Sequence, residues 1–212
     1  MTASCGGMSC LNGLSNLNNG QASFAIREVA AVVLIPESED RDGVKMTLNK
    51  AFAIFFQQTG IKFYIKDWRT ISWRASSRTG VLQQVADEMK GYVQPYDVVI
   101  AIYTMNLFQQ FVFNALGGWM GVVDDVYRRF VVVRRSRNLH VLEHELGHLF
   151  LFKTTHDGGV MGAYIVCAVG DHLCTGNSVC FNEAERQEII ENKWRDFSTK
   201  PELSERQSLI HD

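Results

Sequence analysis

The residues best suited to chemistry in this chain form the pentapeptide His144-Glu145-Leu146-Gly147-His148. On a helix, residues four positions apart lie one above the other, so the imidazoles of His144 and His148 point to the same place. Zinc accepts nitrogen ligands at about 2.0–2.1 Å, and a catalytic zinc site combines three protein ligands with a water. Glu145, next to the first histidine, can reach that water as general base. The pentapeptide therefore predicts a hydrolase with Zn²⁺ as its cofactor.

The helix that must carry these residues has an apolar back. Its large apolar side chains fall on one stripe, roughly opposite the two histidines: Leu142, Leu146, Leu149 and Phe150. We expect the helix to begin near Asn138, a good N-cap residue. A helix with an apolar back and an ionisable front suits a metal-binding cleft.

The rest of the chain alternates short apolar runs with amphipathic segments. Strands are predicted over 28–35, 61–68 and 97–103, and helices over 44–58 and 81–89, with Gly60 and Gly91 as stops. Further β-structure is predicted over 122–128 and 130–133, an irregular stretch after Met161, and a last helix over 182–194. This order predicts an α/β fold, with a twisted, mostly parallel mixed sheet, flanking helices, the zinc-binding helix and a C-terminal helix.

Length and composition fit one globular domain. The 212 residues are 46% hydrophobic, enough to fill a core. We expect a tail over residues 1–22, a catalytic domain over 23–198 and a polar tail over 199–212. The first twenty residues lack the basic and apolar regions of a signal peptide, so we expect a cytoplasmic protein unless a signal was removed.

Neither charge nor hydropathy points to a nucleic-acid or membrane partner, and we expect a monomer. The net charge of −2 and a pI near 6.3 give no general argument for nucleic acid or a membrane surface as partner. No apolar run reaches eighteen residues, so no membrane span is expected.

The pentapeptide, the downstream His156 and the pair Val160-Met161 together resemble the metzincins, a clan of zinc endopeptidases. Their signature is HExxHxxGxxH followed by a methionine-containing turn. The resemblance implies His144, His148 and His156 as metal ligands, Glu145 as general base and Met161 as the floor of the site. Its motif covers residues 144–161, and the order of elements extends it to about 24–196. It also implies a protein or peptide substrate that lies extended along an edge strand near 117–123.

Two departures from the metzincin pattern lie between the second and third histidines. His156 follows His148 by eight residues instead of six. The glycine that turns the chain out of the helix would fall at Leu151, which cannot adopt a positive φ cheaply. We expect a gentler loop through Lys153-Thr154-Thr155 to make the same reversal, with Gly158-Gly159 providing a turn before Met161.

Alternatives remain open for the third ligand and for the function. Glu183 or Glu185, on the predicted last helix, could complete the site as a glutamate does in gluzincins. The chain could also be a metal-binding or interaction module with weak or no turnover. A further rival is an α/β interaction domain in which the pentapeptide is surface decoration.

Several other polar residues have simpler interpretations. We expect His140 to be a helix-start residue or a support for a ligand, and His172 to lie on the surface. Tyr164 could stabilise a transition state near zinc. The basic cluster, expected at a solvated sheet edge, contains Arg128, Arg129, Arg134, Arg135 and Arg137.

The five cysteines leave the redox state undecided. Cys174 and Cys180 could close a small loop or remain free thiols, and their spacing is too wide for a paired zinc ligand motif. Cys5 or Cys10 could in principle cap the zinc as a latency switch.

Overall fold

A computed structural model describes residues 25–104, 119–134, 139–153, 159–162, 166–168, 173–175 and 179–203. Within these ranges a five-stranded sheet is flanked by four helices, and two further strands form a small antiparallel sheet. The strands are β1 Arg27–Ile35, β2 Ile61–Thr70, β3 Val98–Tyr103, β4 Gly121–Val123, β5 Phe130–Arg134, β6 Val166–Ala168 and β7 Leu173–Thr175. The helices are α1 Arg41–Thr59, α2 Arg78–Glu88, α3 Leu139–His148 and α4 Glu183–Glu191. No helix in the described part is long and apolar enough to cross a membrane.

The main sheet is mostly parallel, in the order β2-β1-β3-β5-β4. Strand β1 pairs in parallel with β2 and β3, and β3 pairs in parallel with β5. Strand β4 is antiparallel to β5 and lies at the edge. The mixed α/β fold and its mostly parallel sheet are therefore confirmed.

Local sequence explains where the helices begin and end. Asp40 caps α1 by accepting from the amide of Asp42, and Gly60 ends that helix at a φ of 68°. Such a left-handed residue is the usual helix stop, since glycine has no Cβ to clash. Asn182 and Glu185 form a reciprocal capping box at the start of α4.

The sheet separates two apolar clusters. One face packs against α1, α3 and α4, and the other against α2. Phenylalanines tie the first cluster together, with Phe55 in ring contact with Phe63, Phe150 and Phe181 at centroid distances of 5.3, 6.0 and 5.4 Å. This packing holds α3, the helix that carries the pentapeptide, against the sheet.

Two of the expected elements were wrong. Residues 124–129 form a turn between β4 and β5 instead of continuing a strand. The Asp124 carboxylate closes this turn by accepting four backbone N–H groups, from Tyr127, Arg128, Arg129 and Phe130. The stretch after Met161, expected to be irregular, contains the strand pair β6–β7, whose register places Cys167 opposite Cys174.

Several of the expectations concern residues that the structure does not describe. Residues 1–24, 154–158 and 204–212 lie outside the described residues, and so do Asn138, Tyr164 and His172. Cys180 forms a disulfide bond, so a free thiol at that position is excluded.

Candidate metal centre and active site

His144 and His148 bring their Nε2 atoms together on α3. The two atoms are 3.1 Å apart, and the rings meet edge to face. An ion bonded to both at about 2.0–2.1 Å would subtend an N–metal–N angle of roughly 100°, close to tetrahedral. The pair therefore fits two positions of a tetrahedral zinc site.

A backbone carbonyl orients the first imidazole. His144 Nδ1 lies 3.0 Å from the carbonyl oxygen of Val160. A carbonyl can only accept a hydrogen bond, so Nδ1 carries the proton and the Nε2 lone pair is left facing His148. Metal-bound histidines are typically held in this way by a second hydrogen bond.

Met161 lies beneath α3, against the backbone of Gly147. It is 2% exposed and belongs to a short 3₁₀ turn over Gly159–Met161. A Cβ on Gly147 would be 2.8 Å from Met161 Sδ and 2.8 Å from Phe181 Cε1. Glycine at 147 thus lets the methionine pack directly against the backbone between the two histidines.

Glu145 is enclosed between α3 and the edge strand. Its side chain is 6% exposed, and burial raises its pKa to about 8, against the opposing charges of Arg78 and Arg128. A Cβ on Gly121 would lie 2.5 Å from Glu145 Cγ and closer still to the carboxyl group. The carboxyl group therefore lies against the first residue of β4, shielded from solvent.

The histidine-bearing helix is buried on more sides than its apolar stripe predicts. His140 is 3% exposed, and its ring lies 6.3 Å from that of His144. Glu143 is fully buried, and neither of its carboxylate oxygens has a hydrogen-bond partner among the described residues. Burial raises the Glu143 pKa well above its usual range. Sequence periodicity did not identify Glu143 as buried, because a glutamate beside His144 is expected to be exposed to solvent.

The three candidates for a third ligand lie in different environments. His156 is outside the described residues, and within those residues no three His, Cys, Asp or Glu side chains form a group that could hold a metal. Glu183 has an exposed side chain and pairs with Arg186 at 2.6 Å. Glu185 is fully buried, with Oε2 accepting from the amide of Asn182 at 2.9 Å.

Of the arginines expected at a solvated sheet edge, two of the three described ones are buried and Arg129 is half-buried. Arg128 is 1% exposed and Arg134 is 6% exposed, so the expectation was wrong for both. Arg134 donates to the carbonyl of Trp119, and Arg128 donates to carbonyls at the end of α3. Arg135 and Arg137 lie outside the described residues. A cluster of arginines in the sequence suggested a solvated surface, but these guanidinium groups are buried because they donate hydrogen bonds to backbone carbonyls.

Comparisons of sequence find no match, whereas comparisons of structure find a similar fold. No protein-family model matches the chain, and no curated protein matches it in sequence. Archaemetzincin from Methanopyrus kandleri superposes with a TM-score of 0.53 at 15% identity, over 79% of this chain and 97% of that one. A chain from a chaperone–substrate complex gives 0.48 at 13% identity, over 79% and 34%. At 15% identity the first likeness is one of fold: the chain has a mixed α/β fold similar to that of archaemetzincin, consistent with a zincin-like architecture.

Proposed function

We propose that the protein is a zinc-dependent endopeptidase whose metal is held by His144, His148 and His156. The observation that carries this proposal is the His144–His148 pair, with Nε2 atoms 3.1 Å apart and Nδ1 of His144 bonded to the carbonyl of Val160. A surface pair of histidines has no need of this arrangement, which leaves an imidazole lone pair facing a second imidazole. The fold likeness to archaemetzincin, named as a metzincin, supports the same conclusion.

Glu145 is the proposed proton carrier. A zinc ion at the histidines would polarise the scissile carbonyl and lower the pKa of water. The Glu145 carboxylate then takes the proton from the attacking water and returns it to the leaving amine. Its position supports this role, since Glu145 directly follows the proposed ligand His144 and its carboxyl group lies against the edge strand.

Strand β4 is the proposed platform for substrate. Among the described residues it is one of the two edge strands of the sheet, with β5 as its neighbour. An extended peptide can add to such an edge through main-chain hydrogen bonds. Gly121 brings this edge against Glu145, so a peptide paired with β4 would run past the general base.

The test is cleavage of casein or a peptide library by the full chain, with and without a chelator. Chelation should abolish cleavage, and added zinc should restore it. Glu145→Ala and Glu145→Gln should lose cleavage by at least about 100-fold while one zinc per chain stays bound. Glu183→Gln, which removes an exposed acid on α4, is the matched control. Retained cleavage by both Glu145 variants would contradict the assignment of the base.

A second candidate is a metal-binding domain with little or no turnover. It is favoured by the eight-residue step from His148 to His156 and by Leu151 at the position of the metzincin glycine. The same assay separates the two functions. Stoichiometric zinc with no cleavage of any library peptide would favour the binding domain.

A further inference from the structure

Four successive carbonyl groups at the end of α3 accept hydrogen bonds from side chains elsewhere in the chain. Arg128 Nη1 donates to His148 at 3.1 Å and to Leu151 at 2.7 Å. Arg195 Nη1 donates to Leu149 at 2.6 Å, and Asn192 Nδ2 donates to Phe150 at 2.8 Å. The carbonyls that a helix leaves without internal partners are thus satisfied by three side chains.

These side chains replace the usual way of ending a helix. Helices commonly end on a left-handed glycine, whose amide and that of the next residue bond back to the last carbonyls. Among the described non-glycine residues, Arg128 is the one with a positive φ, so Leu151 does not make a left-handed turn. Instead, guanidinium groups supply charge-assisted hydrogen bonds and place positive charge at the negative end of the helix dipole.

Arg128 is held in place by the turn between β4 and β5. Its φ of 47° is unusual for a residue with a side chain. The Asp124 carboxylate stabilises that backbone by accepting from Arg128 N at 3.1 Å and from Arg129 N at 2.7 Å. The turn next to the edge strand therefore directs a buried guanidinium group to the carbonyl of His148.

Arg195 joins the same turn to the segment after α4. Besides Leu149, its Nη1 donates to the carbonyl of Arg128 at 3.1 Å, and its Nη2 donates to that of Tyr127. Its guanidinium group also lies over the ring of Phe152, 5.1 Å from the centroid. Arg195 therefore contacts both the chain leaving α3 and the turn that carries Arg128.

The amides of the same segment are also bound by α4. Glu188 Oε1 accepts from Phe152 N at 2.5 Å and from Lys153 N at 2.7 Å. Residues 149–153 thus have both carbonyls and amides fixed by side chains of residues 188–195. These hydrogen bonds fix the direction in which the backbone continues after His148.

We infer that Arg128 and Arg195 are positioning residues, which set metal affinity by fixing His148 and the path of residues 149–153. This inference rests on the proposed zinc site. The two arginines do in this chain what the glycine at the position of Leu151 does in the metzincin pattern. They act through the backbone, and neither is proposed as a ligand.

Conservative substitutions test the inference in the full-length protein. Lysine keeps the charge of Arg128 or Arg195 but cannot reproduce the planar fork that reaches two carbonyls. We expect Arg195→Lys and Arg128→Lys to lower zinc affinity roughly 10- to 100-fold, measured by competition with a chromogenic chelator. The visible absorption of Co²⁺ bound in place of zinc should shift or weaken. Arg186→Lys, on α4 but paired with Glu183, is the matched control and should change neither.

Folding and function are read separately in this experiment. Each variant is first checked by thermal unfolding in the metal-free state. Asn192→Leu, which removes the bond to Phe150 without touching a buried charge, gives a milder third variant that should also lower zinc affinity. Folded variants that bind zinc and Co²⁺ like the wild type would overturn the inference and leave the proposed function intact. A wild-type protein that binds neither metal would overturn both.

Discussion

Gly121 lies directly against Glu145, at the point where the edge strand meets the histidine-bearing helix. A Cβ at position 121 would be 2.5 Å from Glu145 Cγ. Backbone and carboxyl group are therefore in contact with no side chain between them. This contact explains why a glycine begins a strand in which side chains otherwise pack well.

Gly121→Ala should impair catalysis while leaving metal binding intact. The added methyl group must displace the Glu145 carboxyl group, and a misplacement of about 1 Å can cost on the order of 100-fold in rate. The measurement is kcat for peptide cleavage together with zinc stoichiometry. Val122→Ala, on the opposite face of β4, is the control and should lower stability by roughly 1–3 kcal/mol without a comparable loss of kcat. Unchanged kcat in Gly121→Ala would argue against Glu145 as the base.

Gly147→Ala should destabilise the protein even though alanine favours helices. Replacing glycine by alanine stabilises a helix by about 1 kcal/mol, whereas overpacking a filled core destabilises the fold by typically 1–3 kcal/mol. The new methyl group would lie 2.8 Å from both Met161 Sδ and Phe181 Cε1, so overpacking should win. Urea unfolding of the metal-free protein gives the difference. In a double-mutant cycle, Met161→Ala should relieve part of the cost, and strict additivity would contradict the packing argument.

Metal stoichiometry should identify the third ligand. His156→Ala is expected to lose tight zinc binding, because two histidines alone leave the site a ligand short. Glu183→Gln should keep zinc, since that side chain is exposed and paired with Arg186. Glu185→Gln should keep zinc and also the capping box, because the glutamine amide oxygen can still accept from the amide of Asn182. Zinc measured by mass spectrometry on all three variants decides the matter, and loss in Glu185→Gln alone would favour a glutamate ligand.

Alkaline pH should weaken the fold through Tyr103. Burial raises the pKa of this phenol in the folded protein, against a smaller opposing effect of Arg134. A raised folded pKa means that the stabilisation is fully present below the unfolded pKa of about 10 and is lost as pH rises through the folded pKa. Tyr103→Phe should therefore show a smaller fall in unfolding free energy above pH 10 than the wild type. Equal slopes for the two proteins would contradict the prediction.

Periodicity and turn residues were sufficient to predict most of the main sheet. Some features depend only on residues a few positions apart, so a single sequence is enough to predict them. Examples are the apolar run of β1, the end of α1 at Gly60 and the N-cap at Asn182. The turn at 124–129 was missed because the surrounding residues are β-branched and aromatic. One carboxylate with four amide partners reverses the chain there, and no periodic pattern signals this.

The site was predictable only as far as one helix extends. His144, Glu145 and His148 are placed by helical spacing, and the structure brings the two imidazoles together as expected. The carbonyl that orients His144 belongs to Val160, which helical spacing cannot bring near. The partners at the end of α3 come from residues 128 and 188–195, at separations of 20 to 46 residues. Contacts of that kind depend on tertiary packing.

The bonds from residues 188–195 to the end of α3 also have a consequence for synthesis. A ribosome completes the pentapeptide some forty residues before it adds Glu188, Asn192 and Arg195. Until those residues emerge, the chain after His148 lacks the groups that hold the carbonyls of Leu149 and Phe150 and the amides of Phe152 and Lys153. The order of translation thus delays completion of this part of the site until α4 has been made, and a nascent chain carries its histidines and glutamate without their final support.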